Sequence, residues 1–260
     1  VAVDSSSSQV TVEADSYEFR PLRLVAVTHG VPSPANREAI MHLVDGVVRA
    51  RPEADVSITF VDAQHSDLAT SLAEAVSDPR AIIVPLVLSA GYHVRTGLAR
   101  GLERLPVAGA SLADPLGPDE RIVEVLERRL GPIDDDDDVC VVLAAAGSND
   151  PRAVRECFET ARLLGARIGR AVTVGFIAAA IPRLPDAIEM LRAVHPGTKV
   201  HVATYLLAPG TFYDAAIVAG ADVIADPLLL PGEAADDALV RLVLDRADAI
   251  AEEQEYLARG

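Results

Sequence analysis

Two histidines stand where an imidazole could act on a ligand. His29 follows the β-branched run Arg23-Leu-Val-Ala-Val-Thr28 and precedes Gly30, so the pattern puts it first beyond a strand end. His93 closes the Gly-containing turn Ser89-Ala-Gly-Tyr-His93 that follows the apolar run 81–88. Asp62, Gln64 and His65 come directly after a third apolar run, 55–61. Imidazole ligates late divalent metals and takes up protons near neutrality. Two of them over one crevice are two ligands of one ion, or a ligand and a proton acceptor. A single histidine after a strand is ordinarily a hydrogen-bonded loop residue. The pair, each with a nearby glycine that lets another group approach closely, points to chemistry. His42 in a helical pattern, His195 before Pro196 and His201 within an apolar run read as structural.

The pattern around these residues alternates short apolar runs with amphipathic stretches. Strands are expected at 23–28, 55–61, 81–88 and 107–112, and helices near 35–51, 67–78, 95–104 and 118–130. Strands separated by helices imply a parallel sheet with right-handed crossovers. In the flavodoxin-like order 2-1-3-4, strands one and three are neighbours about 4.8 Å apart, and ligands bind at the carboxyl ends of such strands. That order brings His29 and His93 over one crevice.

The plan then repeats, with strands expected at 138–145, 171–178, 199–206 and 222–225 and helices near 151–168, 184–194, 213–219 and 233–257. Val25-Ala-Val-Thr-His-Gly30 answers Val142-Leu-Ala-Ala-Ala-Gly147, Phe60-Val61 answers Phe176-Ile177, and Leu86-Val-Leu-Ser-Ala-Gly91 answers Tyr205-Leu-Leu-Ala-Pro-Gly210. Ala113-Asp-Pro-Leu116 answers Ala225-Asp-Pro-Leu228. The matches run in order at nearly constant spacing, so a duplication is the simplest account. In the second copy Ala146 stands for His29, Phe212 for His93 and Ala178 for Asp62, which predicts one reactive site per chain. The expected organisation is a disordered, Ser-rich acidic tail over 1–20, a first α/β lobe over 21–130, a solvated acidic linker over 131–138 and a second, degenerate lobe over 139–260.

Composition prunes the alternatives. The formal net charge is −16 and Lys199 is the single lysine, which argues against nucleic acid and anionic membrane as partners. There is no GxxxxGK[ST], no GxGxxG after a strand and no GxSxG, so nucleoside triphosphates, dinucleotides and a serine nucleophile are unsupported. Cys140 and Cys157 form no CxxC and read as thiols of a reducing compartment. The first 20 residues lack a cationic and an apolar signal region, and no apolar stretch reaches membrane-spanning length. The expectation is a soluble, cytoplasmic protein.

Val25-Ala-Val-Thr-His-Gly-Val-Pro-Ser-Pro-Ala-Asn36 and Val84-Pro-Leu-Val-Leu-Ser-Ala-Gly-Tyr-His-Val94 resemble the sirohydrochlorin chelatase family, the CbiX-type class II chelatases. Val142–Pro151 and Thr204–Asp214 resemble the degenerate half of its two-lobed members. The resemblance runs from about residue 22 to about 250. It implies a two-lobed chelatase fold that inserts cobalt or ferrous iron into sirohydrochlorin without ATP, in cobalamin or sirohaem synthesis. The metal is then a substrate, with no permanently bound cofactor. The family's active histidines fall on His29 and His93, and its acidic residue falls on Asp62, where glutamate is commoner. After His29-Gly30, members usually carry a small hydroxyl residue and a basic one. This chain has Val31-Pro32, and it lacks the His-rich segment of some long members.

On that reading His29 and His93 hold the metal and accept pyrrole protons, with Asp62 assisting. Gly30, Ser89, Gly91 and Tyr92 line the substrate side, and Ala146 and Phe212 offer it an apolar face. Arg37, Arg95 and Arg152 are candidate donors to the macrocycle's carboxylates. Because the duplication supplies both lobes, a monomer is expected. Two rivals stand beside this: a non-catalytic metal or tetrapyrrole carrier, and a phosphate-handling hydrolase using the Gly-rich turns.

Overall fold

The computed structural model describes residues 21–29, 33–61, 70, 72, 76, 78, 80–89, 91–105, 109–133 and 138–258; of His29, Tyr92–Val94, Leu257 and Ala258 it describes the backbone alone. The tail over 1–20, most of the helix expected over 67–78, and residues 134–137 lie outside the described residues.

Two four-stranded parallel sheets form from the two sequence copies. β1 (Arg23–His29), β2 (Asp55–Val61), β3 (Ile82–Pro85) and β4 (Ser111–Leu112) assemble in the order β2-β1-β3-β4. β5 (Val139–Ala145), β6 (Val172–Phe176), β7 (Lys199–Tyr205) and β8 (Val223–Ile224) assemble as β6-β5-β7-β8. The registers agree with the repeat. Thr28 pairs with Phe60 in the first sheet, and Ala145 with Phe176 in the second. β3 is shorter than expected because Pro85 has no N–H to continue the ladder, whereas its counterpart Thr204 lets β7 run on to Tyr205. β4 and β8 are likewise trimmed to two residues each.

The helices are α1 (Pro34–Ala50), α2 (Tyr92–Glu103), α3 (Glu120–Leu130), α4 (Pro151–Ile168), α5 (Leu184–Val194), α6 (Thr211–Ile217) and α7 (Asp237–Ala258). α1 and α4 begin alike. Ser33 accepts the Asn36 N–H at 3.2 Å and Asp150 accepts the Arg152 N–H at 2.9 Å, each followed by a proline at the first helical position. Asp138, expected in a solvated linker, instead accepts from Thr198 Oγ1 at 2.8 Å and from the Lys199 N–H at 3.0 Å through its carbonyl.

The closing helix of each copy packs on the other copy's sheet. α3 lies against β7 and α4, and α7 lies against β3 and α1. Alternation along the strands explains what is covered. Leu24, Ala26, Ile82 and Val84 face inward with Val141, Leu143, Ala203 and Tyr205 into one core that the four helices fill. The outer faces have separate cores, with Val25, Val27 and Ile83 against Leu98 of α2, and Val142, Ala144 and Val202 against Leu184 and Ile188 of α5. The exchange is pinned at its rim. Arg246 of α7 donates to the carbonyls of Pro115 and Leu116 at 2.9 and 3.0 Å, and Gln254 donates to Ser111 Oγ at 2.8 Å. Arg51 pairs with Asp248, and Arg121 with Asp245.

α1 lies close against α7 at Gly46, where an added Cβ would sit 2.6 Å from Val240 Cγ2. Gly46→Ala is therefore expected to lose about 1–3 kcal/mol in denaturant unfolding, although alanine is the better helix former by about 1 kcal/mol. A neutral or stabilised variant would contradict the contact.

Candidate functional site

The carboxyl ends of β1, β3, β5 and β7 open into one cleft between the two sheets, with a volume of about 430 Å³. Thr28, Leu86 and Ser89 reach it from the first half; Ala146, Gly147 and Leu206 reach it from the second. The wall is mostly apolar. Two hydrogen bonds tie its halves together. Tyr205 donates its buried hydroxyl to the Leu88 carbonyl at 2.9 Å, and Asn36 Nδ2 donates to the Pro209 carbonyl at 2.9 Å. Burial raises the Tyr205 phenol well above its usual range, so it stays a neutral donor.

His29 is the last residue of β1, paired in register with Val61, rather than the first residue after it. His93 is the second residue of α2, not part of the preceding turn, because the helix starts directly after Gly91. β1 and β3 are adjacent and parallel, with Val27 opposite Pro85. The backbone thus brings both histidine positions to the same edge of one sheet, one at a strand end and the other in the first turn of the helix that follows its neighbour. Gly30, Asp62, Gln64 and His65 lie outside the described residues. Among the described residues no three His, Cys, Asp or Glu side chains gather as a metal site.

The second lobe repeats this geometry without the chemistry. Phe212 is the second residue of α6, as His93 is of α2, and its half-exposed ring lines the cleft. Ala146 lines it as the residue after β5. Gly147, the counterpart of Gly30, has φ +90°, and a Cβ there would come within 1.9 Å of the Ala178 carbonyl oxygen. Only glycine fits.

The arginines divide. Arg37 is exposed on α1 and lies over the Phe60 ring at 4.1 Å, beside the cleft that Phe60 lines. Arg152 is exposed in the first turn of α4. Arg95 reaches across to the second lobe, where its Nη2 lies 3.5 Å from Asp150 Oδ2. Cys157 is buried in the cleft wall. Loss of hydration raises its thiol to about 12 against the opposing hydrogen bond to Ser89, which agrees with an unreactive thiol. Cys140 is also free and half-buried. Asn36 and Tyr205 were not singled out as site residues, although both fall within segments that carried the family resemblance. Tyr213 was missed too. It lines the cleft and donates to Asp226 at 2.8 Å, and burial with that bond pushes its phenol up to about 12.

A family model described as CbiX matches residues 23–132 and 140–229, one segment in each half. A sirohydrochlorin ferrochelatase of Priestia megaterium is 33% identical over 138 residues, 50% of this chain and 52% of that protein. The chain thus spans about half the length of that relative. A sirohydrochlorin cobaltochelatase of Methanosarcina barkeri is 24% identical over 122 residues, 42% of this chain and 94% of the relative. The solved structure of SirB from Bacillus subtilis with Fe3+ superposes with a TM-score of 0.65 at 21% identity, over 90% of this chain and 98% of that one. A structure of CbiX, described as the terminal enzyme of sirohaem biosynthesis in denitrifying bacteria, gives 0.63 at 18% identity, over 87% and 98%. These likenesses agree with the chelatase-like fold of two parallel-sheet lobes expected from the sequence.

The Tyr205 bond makes the cleft wall testable. Tyr205→Phe leaves the Leu88 carbonyl buried without that donor and is expected to cost about 1–3 kcal/mol, measured by chemical unfolding. An unchanged stability would mean that the lobes do not meet there.

Proposed function

Because this chain belongs to the CbiX family, matched in both of its halves, we propose that it inserts cobalt or ferrous iron into sirohydrochlorin without ATP, in cobalamin or sirohaem synthesis. The observation that carries the reading is the position of His29 and His93 at one edge of adjacent parallel strands, beside a largely apolar interlobe cleft. The chelatase activities for which the Priestia and Methanosarcina relatives are named support it.

The reaction needs three things from the protein. The metal must lose water, two pyrrole protons must leave, and a flat, many-carboxylate macrocycle must be held still. Neutral imidazoles of His29 and His93 serve the first two, as ligands in exchange for water and as acceptors for protons, with Asp62 as a further acceptor. The metal passes through as substrate, and the protein needs no resident cofactor. The macrocycle lies in the cleft against Ala146 and Phe212, with Ser89 and Tyr92 at its edge and Gly30 and Gly91 permitting close approach. Arg37 and Arg152, exposed in the first turns of α1 and α4, are placed to meet its carboxylates. Arg95 belongs to the same edge. One chain supplies both lobes, so the working unit is a monomer. No helix among the described residues is long and apolar enough to cross a membrane.

The test is metal-dependent change in the absorption spectrum of sirohydrochlorin. The wild type is expected to metallate it above the uncatalysed background, and His29→Ala and His93→Ala to lower that rate by roughly 10²-fold or more. Both variants matching the wild type would remove the histidines from the mechanism. A wild type that binds cobalt and macrocycle without turnover would be a carrier instead.

A further inference from the structure

The second lobe lacks counterparts of the histidines, yet one of its carboxylates reaches the helix that carries one of them and a second lies nearby on the helix that the first caps. Arg95 stands in the first turn of α2, two residues after His93, with its N–H bonded to the Gly91 carbonyl at 3.0 Å. Its guanidinium pairs with Asp150 at 3.5 Å. Asp150 is itself fixed: it caps α4 through the Arg152 N–H at 2.9 Å, and its own N–H donates to Ser148 Oγ at 3.0 Å. That Ser148 oxygen lies where a Cβ on Gly91 would come within 2.6 Å, so the start of α2 touches the second lobe directly.

Glu156 follows Asp150 by six residues on α4. Its Oε2 is shut off from solvent with no hydrogen-bond partner. Burial raises its pKa; the charge of Arg95 opposes this more than that of Arg155, while Asp150 adds to it. A carboxylate oxygen shut off without a donor is an expensive way to seal an interface, where an apolar side chain would serve better. Its charge is useful there as a partner for Arg95.

We propose that Asp150 and Glu156 are positioning residues which hold Arg95, and through it the His93-bearing first turn of α2, against the second lobe. The proposal rests on the metal-insertion reading above. The degenerate lobe would then be part of the machinery that aims the metal site, beyond giving the macrocycle an apolar face. Displacement of a reacting group by about 1 Å can cost as much as 10²-fold in rate, so loss of this hold should appear in turnover.

The experiment compares full-length wild type, Glu156→Gln, Asp150→Asn, Arg95→Met and Glu156→Gln/Arg95→Met. Glu156→Gln is expected to lower kcat for cobalt insertion roughly tenfold, with KM for sirohydrochlorin within about twofold and no fall in Tm, because a half-buried carboxylate with one oxygen shut off from solvent has been made neutral. A residue that only held the fold together would lower Tm and leave kcat alone. Once Arg95→Met is present, adding Glu156→Gln should cost no more than about a further twofold, since Glu156 acts only through its attraction for the Arg95 charge. Wild-type kcat in both Glu156→Gln and Asp150→Asn, or losses that multiply in full in the double variant, would overturn the proposal. Absence of turnover in the wild type would instead refute the metal-insertion reading. In that case Co2+ alone, followed by its visible absorption, remains the probe, and identical Co2+ affinity in wild type and Glu156→Gln would overturn the positioning role as well.

Discussion

Each sheet buries its inner face under a helix delivered by the other half of the chain, α7 on the first and α3 on the second, and this exchange fixes almost everything else about the molecule. A parallel sheet needs apolar cover on both faces. Here the inner cover is shared, so the strands of both halves drain into one core. The sheets have no freedom to slide without opening it. Their carboxyl edges are therefore held face to face, and the cleft between them is a rigid consequence of core packing, with Tyr205 and Asn36 as bolts at its rim.

Within that frame, two lobes of the same strand order carry different side chains at equivalent places. The registers at Thr28–Phe60 and Ala145–Phe176 are equivalent, and His93 and Phe212 hold the same place in the first turns of α2 and α6. Symmetry of backbone with asymmetry of side chain gives one lobe histidines where the other has a ring and a methyl group. The lobes are not independent, because Ser148 and Asp150 of the second meet the start of the helix that bears His93.

Much of this was readable in the chain. The bounds of α4 and α5 match those expected from periodicity, alternation of strands with helices implied the parallel sheets, and their order is the flavodoxin-like one expected. What escaped reading has identifiable causes. The start of α2 was expected three residues late because Tyr92-His-Val94 carries no clear amphipathic signal and Gly91 offers no side-chain cap. Pro85 did announce the early end of β3, but the apolar run continues past it. The exchange of α3 and α7 left no trace at all. An apolar stripe says that a helix will be buried and is silent on whose sheet buries it. Arg95–Asp150 was equally hidden, since partners 55 residues apart share no local pattern.

The exchange also sets an order of events. The inner face of the first sheet is synthesised early, but α7, which covers it, is the final described helix of the chain. Until α7 arrives, Ile82 and Val84 lack part of their cover, and long-range closure of this kind slows folding and leaves apolar surface open to aggregation. The histidine-bearing lobe therefore reaches its final form only when the opposite lobe is almost finished. A half-made chain cannot present a complete cleft, and the cleft forms only as the fold closes.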